Sequence, residues 1–353
     1  VFDMTVVLGI GTAKGAWFAR SDDRERWEIT GPALKGWEVS TLGVAPDGTF
    51  LAGTGSSWYG AAVHRSQDLE QWDQVIDGPG YPPEQGHTLE RIWTFAPVGD
   101  ALYCGVARAG LFRSDDNGQS WQPNAALNDH ASSQYWQPGL GGLTLHRILG
   151  DPTDSGHLWV GISAVGVWET TDGGQTWETR NQGVNLAAPN EHFDIGYCVH
   201  RIVNDPADPT HIWRQDHMGV YRTIDGGRTW ERIQNGLPGS GFGFVMVRDP
   251  AGGALFNVPL ESDEYRMPVD GRLRVYRSTD SGDSWHASGV GLPDHPFYTA
   301  VLRDAMDVDG LNPGGVYFGT TGGEVWCSCD TGDTWNRLPV NLPRISSIKV
   351  LST

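Results

Sequence analysis

One octapeptide pattern recurs along the 353-residue chain and limits the fold more than any other feature of it. The pattern Ser/Thr-x-Asp-x-Gly-x-Ser/Thr-Trp is intact at 114–121 (SDDNGQSW), 170–177 (TTDGGQTW), 223–230 (TIDGGRTW), 278–285 (STDSGDSW) and 328–335 (SCDTGDTW). Shortened copies precede these at 21–27 (SDDRERW) and 66–72 (SQDLEQW). Each copy has the chemistry of a hairpin turn. Asp accepts backbone N–H bonds, Gly takes a positive φ, and Trp anchors the returning strand between neighbouring sheets. The tryptophans stand about 45 to 56 residues apart, which is the length of four short strands and the spacing of propeller blades.

Seven copies predict an all-β fold: a seven-bladed β-propeller of four-stranded blades, forming a single domain over 1–353. The N-terminal TVVLGIG, GAWFAR and RWEIT supply three strands before the next unit, and ISSIKVL after the last box is a strand with no hairpin of its own. The C-terminal strand is therefore expected to complete the N-terminal blade and close the ring, which removes open sheet edges.

The 48 glycines and 16 tryptophans fit a turn-rich protein with large aromatic anchors. No segment reaches the roughly 18 to 20 apolar residues of a membrane helix, so a soluble chain without a membrane partner is expected. A formal charge of −18 argues against a nucleic-acid partner, because phosphate binding relies on clustered Lys and Arg. Cys104, Cys198, Cys327 and Cys329 form no disulfide framework. The start VFDMTVVLGIGTAKG lacks the basic and apolar regions of a signal peptide, which points to the cytoplasm. A secreted chain after leader removal would leave the same sequence. Oligomeric state stays open.

The boxes resemble the Asp-box, or BNR, repeats of sialidases, sortilin-type receptors, xyloglucanases and photosystem assembly factors, and the resemblance runs the length of the chain. GTAKGAWFARSDDRERWEITGP, QDHMGVYRT, VPLESDEYRMPVDGRLRVYRS and LRDAMDVDGLNPGGVYFGT resemble a bacterial group of sialidase-like, glycosyl-hydrolase BNR-repeat proteins. That resemblance implies a propeller and a glycosyl-hydrolase activity. Sialidases are typically six-bladed, with an early Arg-Ile-Pro motif, three arginines on the substrate carboxylate, a Tyr/Glu nucleophile pair and an Asp acid. This chain has seven boxes, and its early Arg91-Ile92 is followed by Trp93, so a true sialidase is not expected.

Function is expected on the face opposite the boxes, where the connections are long: 78–88, 128–142, 185–197 and the sixth-blade insert 259–272. First-strand segments align as Thr88-Leu89-Glu90-Arg91-Ile92, Thr144-Leu145-His146-Arg147-Ile148 and Cys198-Val199-His200-Arg201-Ile202. Glu90, His146 and His200, joined by His217, are candidate ligands for zinc, manganese or iron and candidate proton carriers. They serve equally as polar residues lining a wet channel. Arg91, Arg147 and Arg201 either grip an anion or pair with acids such as Asp151 and Asp205; strand alternation puts them opposite the His row and favours pairing.

The insert offers Glu261 and Asp263 as acid/base carboxylates, with Arg266 and Tyr265 as substrate contacts. His192 and Trp136 are further candidate substrate contacts, beside the loop aromatics Trp58, Tyr59, Tyr81, Tyr135 and Phe193, which are suited to stacking on sugar rings. The favoured reading is a hydrolase or lyase acting on a carbohydrate or similar small molecule, with a polar, metal-assisted site at the propeller axis. Its rivals are a non-catalytic peptide-binding or assembly propeller and a metal-dependent hydrolase of a non-sugar substrate.

Overall fold

The computed structural model describes residues 5–83, 86–186 and 190–353. The described residues form seven four-stranded antiparallel sheets of a β-propeller, almost without helix. Each sheet is a meander of consecutive strands except the first, which takes its fourth strand from the far end of the chain. There Ile345–Ser352 pairs antiparallel with Val6–Thr12, placing Val350 opposite Leu8 and Ile348 opposite Ile10. This is the completion of the N-terminal sheet that the strand count predicts.

The Asp-box turns form as their chemistry requires. In the 114–121 copy, Ser114 Oγ donates to Asp116 Oδ1 at 2.7 Å, Ser120 N to the same oxygen at 2.9 Å, and Ser120 Oγ to Asp116 Oδ2 at 2.6 Å. The boxes at Asp172, Asp225, Asp280 and Asp330 repeat the set. The conserved glycine position takes a positive φ as expected, and so does the residue before it, for example Asn117 at 58° and Ser281 at 61°.

The tryptophans of the later boxes reach back to the preceding sheet or its connection. Trp230 Nε1 donates to the Arg180 carbonyl and Trp285 Nε1 to the Ile233 carbonyl, both at 2.9 Å. The backbone N–H of the same tryptophans bonds to Gln182 and Asn235 of the preceding connection. Gly183, Gly236 and Gly291, all at positive φ, lie against the carbonyls of Trp230, Trp285 and Trp335 more closely than any Cβ could.

The chain divides into two compact units: Val1–Val39 with Trp213–Arg222 and Arg232–Thr353, and Ser40–Ile212 with Thr223–Glu231. The first has a core including Leu8, Ile10, Val245, Phe256, Val316, Phe318, Trp335, Ile345 and Ile348. The second is built on Leu51, Ile92, Leu102 and Phe112, and on Leu145, Ile148, Val160, Trp168 and Trp177. Within both, the inner strands are buried at nearly every position, as in Val6–Thr12 and Ala101–Val106, because both of their faces are covered. All four cysteines are free thiols.

Candidate functional site

A group of polar side chains in the first unit stands where the insert after Leu255–Pro259 meets the turn after Asp208–Asp216. Asp216 fixes that turn: its carboxylate takes Arg214 Nη2 at 2.5 Å and Nε at 2.9 Å, and its Oδ1 accepts the Met218 N–H at 3.0 Å. Both charges of this pair are fully buried, and burial raises the Asp216 carboxyl even though Arg214 pulls it down. The result is a rigid turn presenting His217.

The insert closes on itself. Glu261 N bonds to Met267 O at 2.9 Å, Arg266 N to Ser262 O at 3.0 Å, and Leu260 bridges Pro268. Inside this loop Asp263 Oδ2 lies 3.6 Å from His217 Nε2, an ion-pair distance too long for a hydrogen bond. The His217 ring meets the edge of Phe242 at 5.3 Å, and Phe242 meets Phe244 at the same distance. Arg266 and Arg303 both set their guanidinium over Phe244, at 5.3 and 5.1 Å. Tyr265 is 59% exposed, and Glu261 and Glu264 face solvent. A carboxylate beside an imidazole can exchange a proton, and the arginine and tyrosine beside it can orient a polar ligand.

Asp263, Tyr265 and Arg266, chosen from sequence, thus share one self-closed loop, and His217, chosen as a candidate metal ligand and proton carrier, faces Asp263. Phe242, Phe244 and Arg303 were missed. The Phe-Gly-Phe of GSGFGFVMV reads as an ordinary strand, and only the two-residue spacing of its aromatics hints that both rings share a face.

The proposed first-strand row fares differently. Glu90 is exposed and precedes the strand Ile92–Val98, so it is no strand partner to His146 and His200. Its alignment with them is corrected on that ground. His146 and His200 are buried in Leu145–Asp151 and Val199–Asp205. His146 Nε2 lies 2.8 Å from the Val199 carbonyl oxygen and so donates its proton there, which takes that nitrogen out of metal ligation. The pairing register slips between Leu145 and Arg147, a bulge that breaks strict alternation at His146. His200 Nε2 stands 3.6 Å from Cys198 Sγ, a soft thiol donor that the sequence reading did not include, and Ser163 Oγ is 3.9 Å from the same sulfur. Arg91 stacks on Trp93 at 5.3 Å, and the Asp151 carboxylate takes Thr153 and His157.

Among the loop aromatics, Trp58 and Tyr59 are 88% and 72% exposed on a turn whose Ser56 Oγ accepts both their N–H groups. Trp136 is not a free platform. It is only 7% exposed, donates to Ser132 Oγ at 3.0 Å and packs its edge on Trp168. His192 lies 5.2 Å from the ring of Tyr135, which also meets Phe193. Tyr81 bonds the Ala107 carbonyl and packs on Phe112. Residues 84–85 and 187–189 of the expected loops lie outside the described residues. A separate cleft of about 380 Å³ opens beside the second Asp-box, lined by Arg65, Asp68, Gln71, Asp73, Asp77 and Gln119; it contains none of the residues above.

The BNR/Asp-box repeat family model matches residues 112–123. A xyloglucanase of a Paenibacillus species is 25% identical over 303 residues, covering 76% of this chain and 27% of that protein. An oligoxyloglucan-reducing end-specific xyloglucanase of Emericella nidulans is 25% identical over 88% of this chain and 44% of its own length. The chain thus spans less than half of either relative. The crystal structure of a GH74 enzyme of Niastella koreensis aligns with a TM-score of 0.58 at 18% identity, over 85% of this chain and 45% of that one, a likeness of fold. The described residues thus form a β-propeller of seven four-stranded sheets, and one of its turns, within 112–123, matches the BNR/Asp-box repeat model.

Proposed function

We propose that the chain is a carbohydrate-active hydrolase whose proton transfers take place at the 261–267 insert. Two xyloglucanases that match 76% and 88% of the chain support the substrate class. The observation that carries the site is the Asp263 carboxylate held 3.6 Å from His217 on a self-closed loop. Cleaving a glycosidic bond needs a proton delivered to the leaving oxygen and a second carboxylate to activate water or stabilise the sugar cation. In this reading Asp263 carries the proton and His217 shares it. Glu261 or Glu264 supplies the second carboxylate, and the exposed ring of Tyr265 offers a flat apolar face to a sugar.

The test is release of reducing ends from xyloglucan, its oligosaccharides and other β-glucans, separated chromatographically. Asp263→Asn should lower kcat at least about a hundredfold with the melting temperature unchanged. His217→Gln should lower kcat as well, by less than Asp263→Asn. Cleavage by Asp263→Asn at the wild-type rate would remove the insert from the chemistry.

A further inference from the structure

We propose that the sugar bound at the insert carries a carboxylate gripped by Arg266, so that the ligand is a uronic-acid-bearing oligosaccharide. This rests on the reading of the insert as a carbohydrate site and adds the charge of the substrate to it.

The loop contains three acids, Glu261, Asp263 and Glu264, close in sequence to one arginine. Such an arginine would ordinarily be neutralised by its neighbours. Instead the Asp263 carboxylate turns to His217, and Arg266 gives only its Nε–H to the Asp263 main-chain carbonyl, at 3.1 Å. Among the described residues Arg266 makes no ion pair within 4.0 Å, which leaves the outer edge of its guanidinium to a ligand.

The side chain is also held in place. Arg266 has a φ of 51°, a left-handed conformation that costs a non-glycine residue energy, and its N–H is pinned to Ser262 O. Its guanidinium rests over the buried ring of Phe244, 5.3 Å from its centroid. A planar guanidinium matches a carboxylate with two parallel N–H bonds, and Tyr265 next to it presents 59% of its surface for the sugar ring. The chain as a whole carries −18, which repels polyanions at long range. A local cationic grip in such a field selects a single carboxylate on a sugar over a densely charged polymer.

Titration calorimetry on the full chain, at low and at raised salt, compares short galacturonate and glucuronate oligosaccharides with their methyl esters, which keep the rings and remove the charge. The acids should bind at least about tenfold more tightly than the esters, with the preference reduced by salt. Arg266→Ala should abolish that preference, bringing acid affinity down to that of the ester, and Arg266→Lys should restore part of it. Thermal melts would confirm that both variants remain folded. Equal binding of acid and ester, or a preference that survives Arg266→Ala, overturns the proposal. Inorganic sulfate competing as well as the acid sugar overturns it too, by making Arg266 a general anion site. Binding is read without turnover, so a chain that binds acid sugars but cleaves none would sink the hydrolase reading alone. Cleavage of neutral glycans with no preference for the acid would sink this inference alone.

Discussion

His64 is buried in the second sheet with Nδ1 3.4 Å from Thr54 Oγ1, and burial lowers its imidazole to about 4 from the usual 6.5. The folded chain therefore keeps His64 neutral while the unfolded chain protonates it below 6.5, so the unfolded state binds more protons across that window. Stability should fall as pH drops from 6.5 towards 4, by up to about 3 kcal/mol from this group. Urea melts at pH 7, 5.5 and 4 should show His64→Gln losing less than wild type over that range; parallel losses would show that His64 is not the source. The candidate site was partly legible at this scale. Asp263, Tyr265 and Arg266 stood out because an overlong, charged insert is visible in one dimension, and His217 because its turn belongs to the same blade as His200. The Glu90, His146, His200 row is less regular than its spacing suggests, for a physical reason. Sequence alignment assumes an unbroken period of two, and a late strand start at Ile92 and a bulge at His146 both break it.

At the scale of strands and turns, the Asp-boxes were readable because every partner in the turn lies within eight residues. What the sequence did not show is the stitch that joins one sheet to the next. In the 234–236 connection, the Asn235 carbonyl accepts the Trp285 N–H, and Gly236, at φ 92°, lets that backbone come against the Trp285 carbonyl. A glycine in an outer connection gives no hint of a contact made with the following box. Gly236→Ala should cost roughly 2 kcal/mol or more, because it adds a steric clash with main chain to the strain of a left-handed alanine. Gly239, at φ 62° with open space around its Cβ position, isolates the second contribution. Thermal melts should therefore place Gly236→Ala well below Gly239→Ala. Matching values would show that the close approach at Trp285 can relax at no cost.

At the scale of the molecule, the sheet count was legible because the repeat counts sheets, and the pairing of the chain ends was legible because one sheet lacked a strand. The division of the chain into two units, which passes through the fifth sheet, has no counterpart in composition or charge. The terminal pairing makes a demand that can be tested. Val6–Thr12 is buried along its whole length, and Ile345–Ser352 covers its edge while inserting Ile345 and Ile348 into the core of the first unit. Burying each isoleucine contributes about 1.5–3 kcal/mol, and the ladder hydrogen bonds of a full strand come on top. That total is a large part of the roughly 5–15 kcal/mol by which domains are stable. A chain ending at Arg344 should therefore lose its cooperative melt and, with a bare edge on an apolar strand, associate on size-exclusion chromatography. A synthetic peptide spanning 345–353, added during refolding, should restore the elution volume of the full chain, because the missing strand needs only to pair and not to be covalently joined. A truncated chain that elutes and melts like the full one would mean that the first sheet holds without its C-terminal strand. Restoration by the peptide would show that pairing alone, without the covalent link, supplies what the first sheet needs.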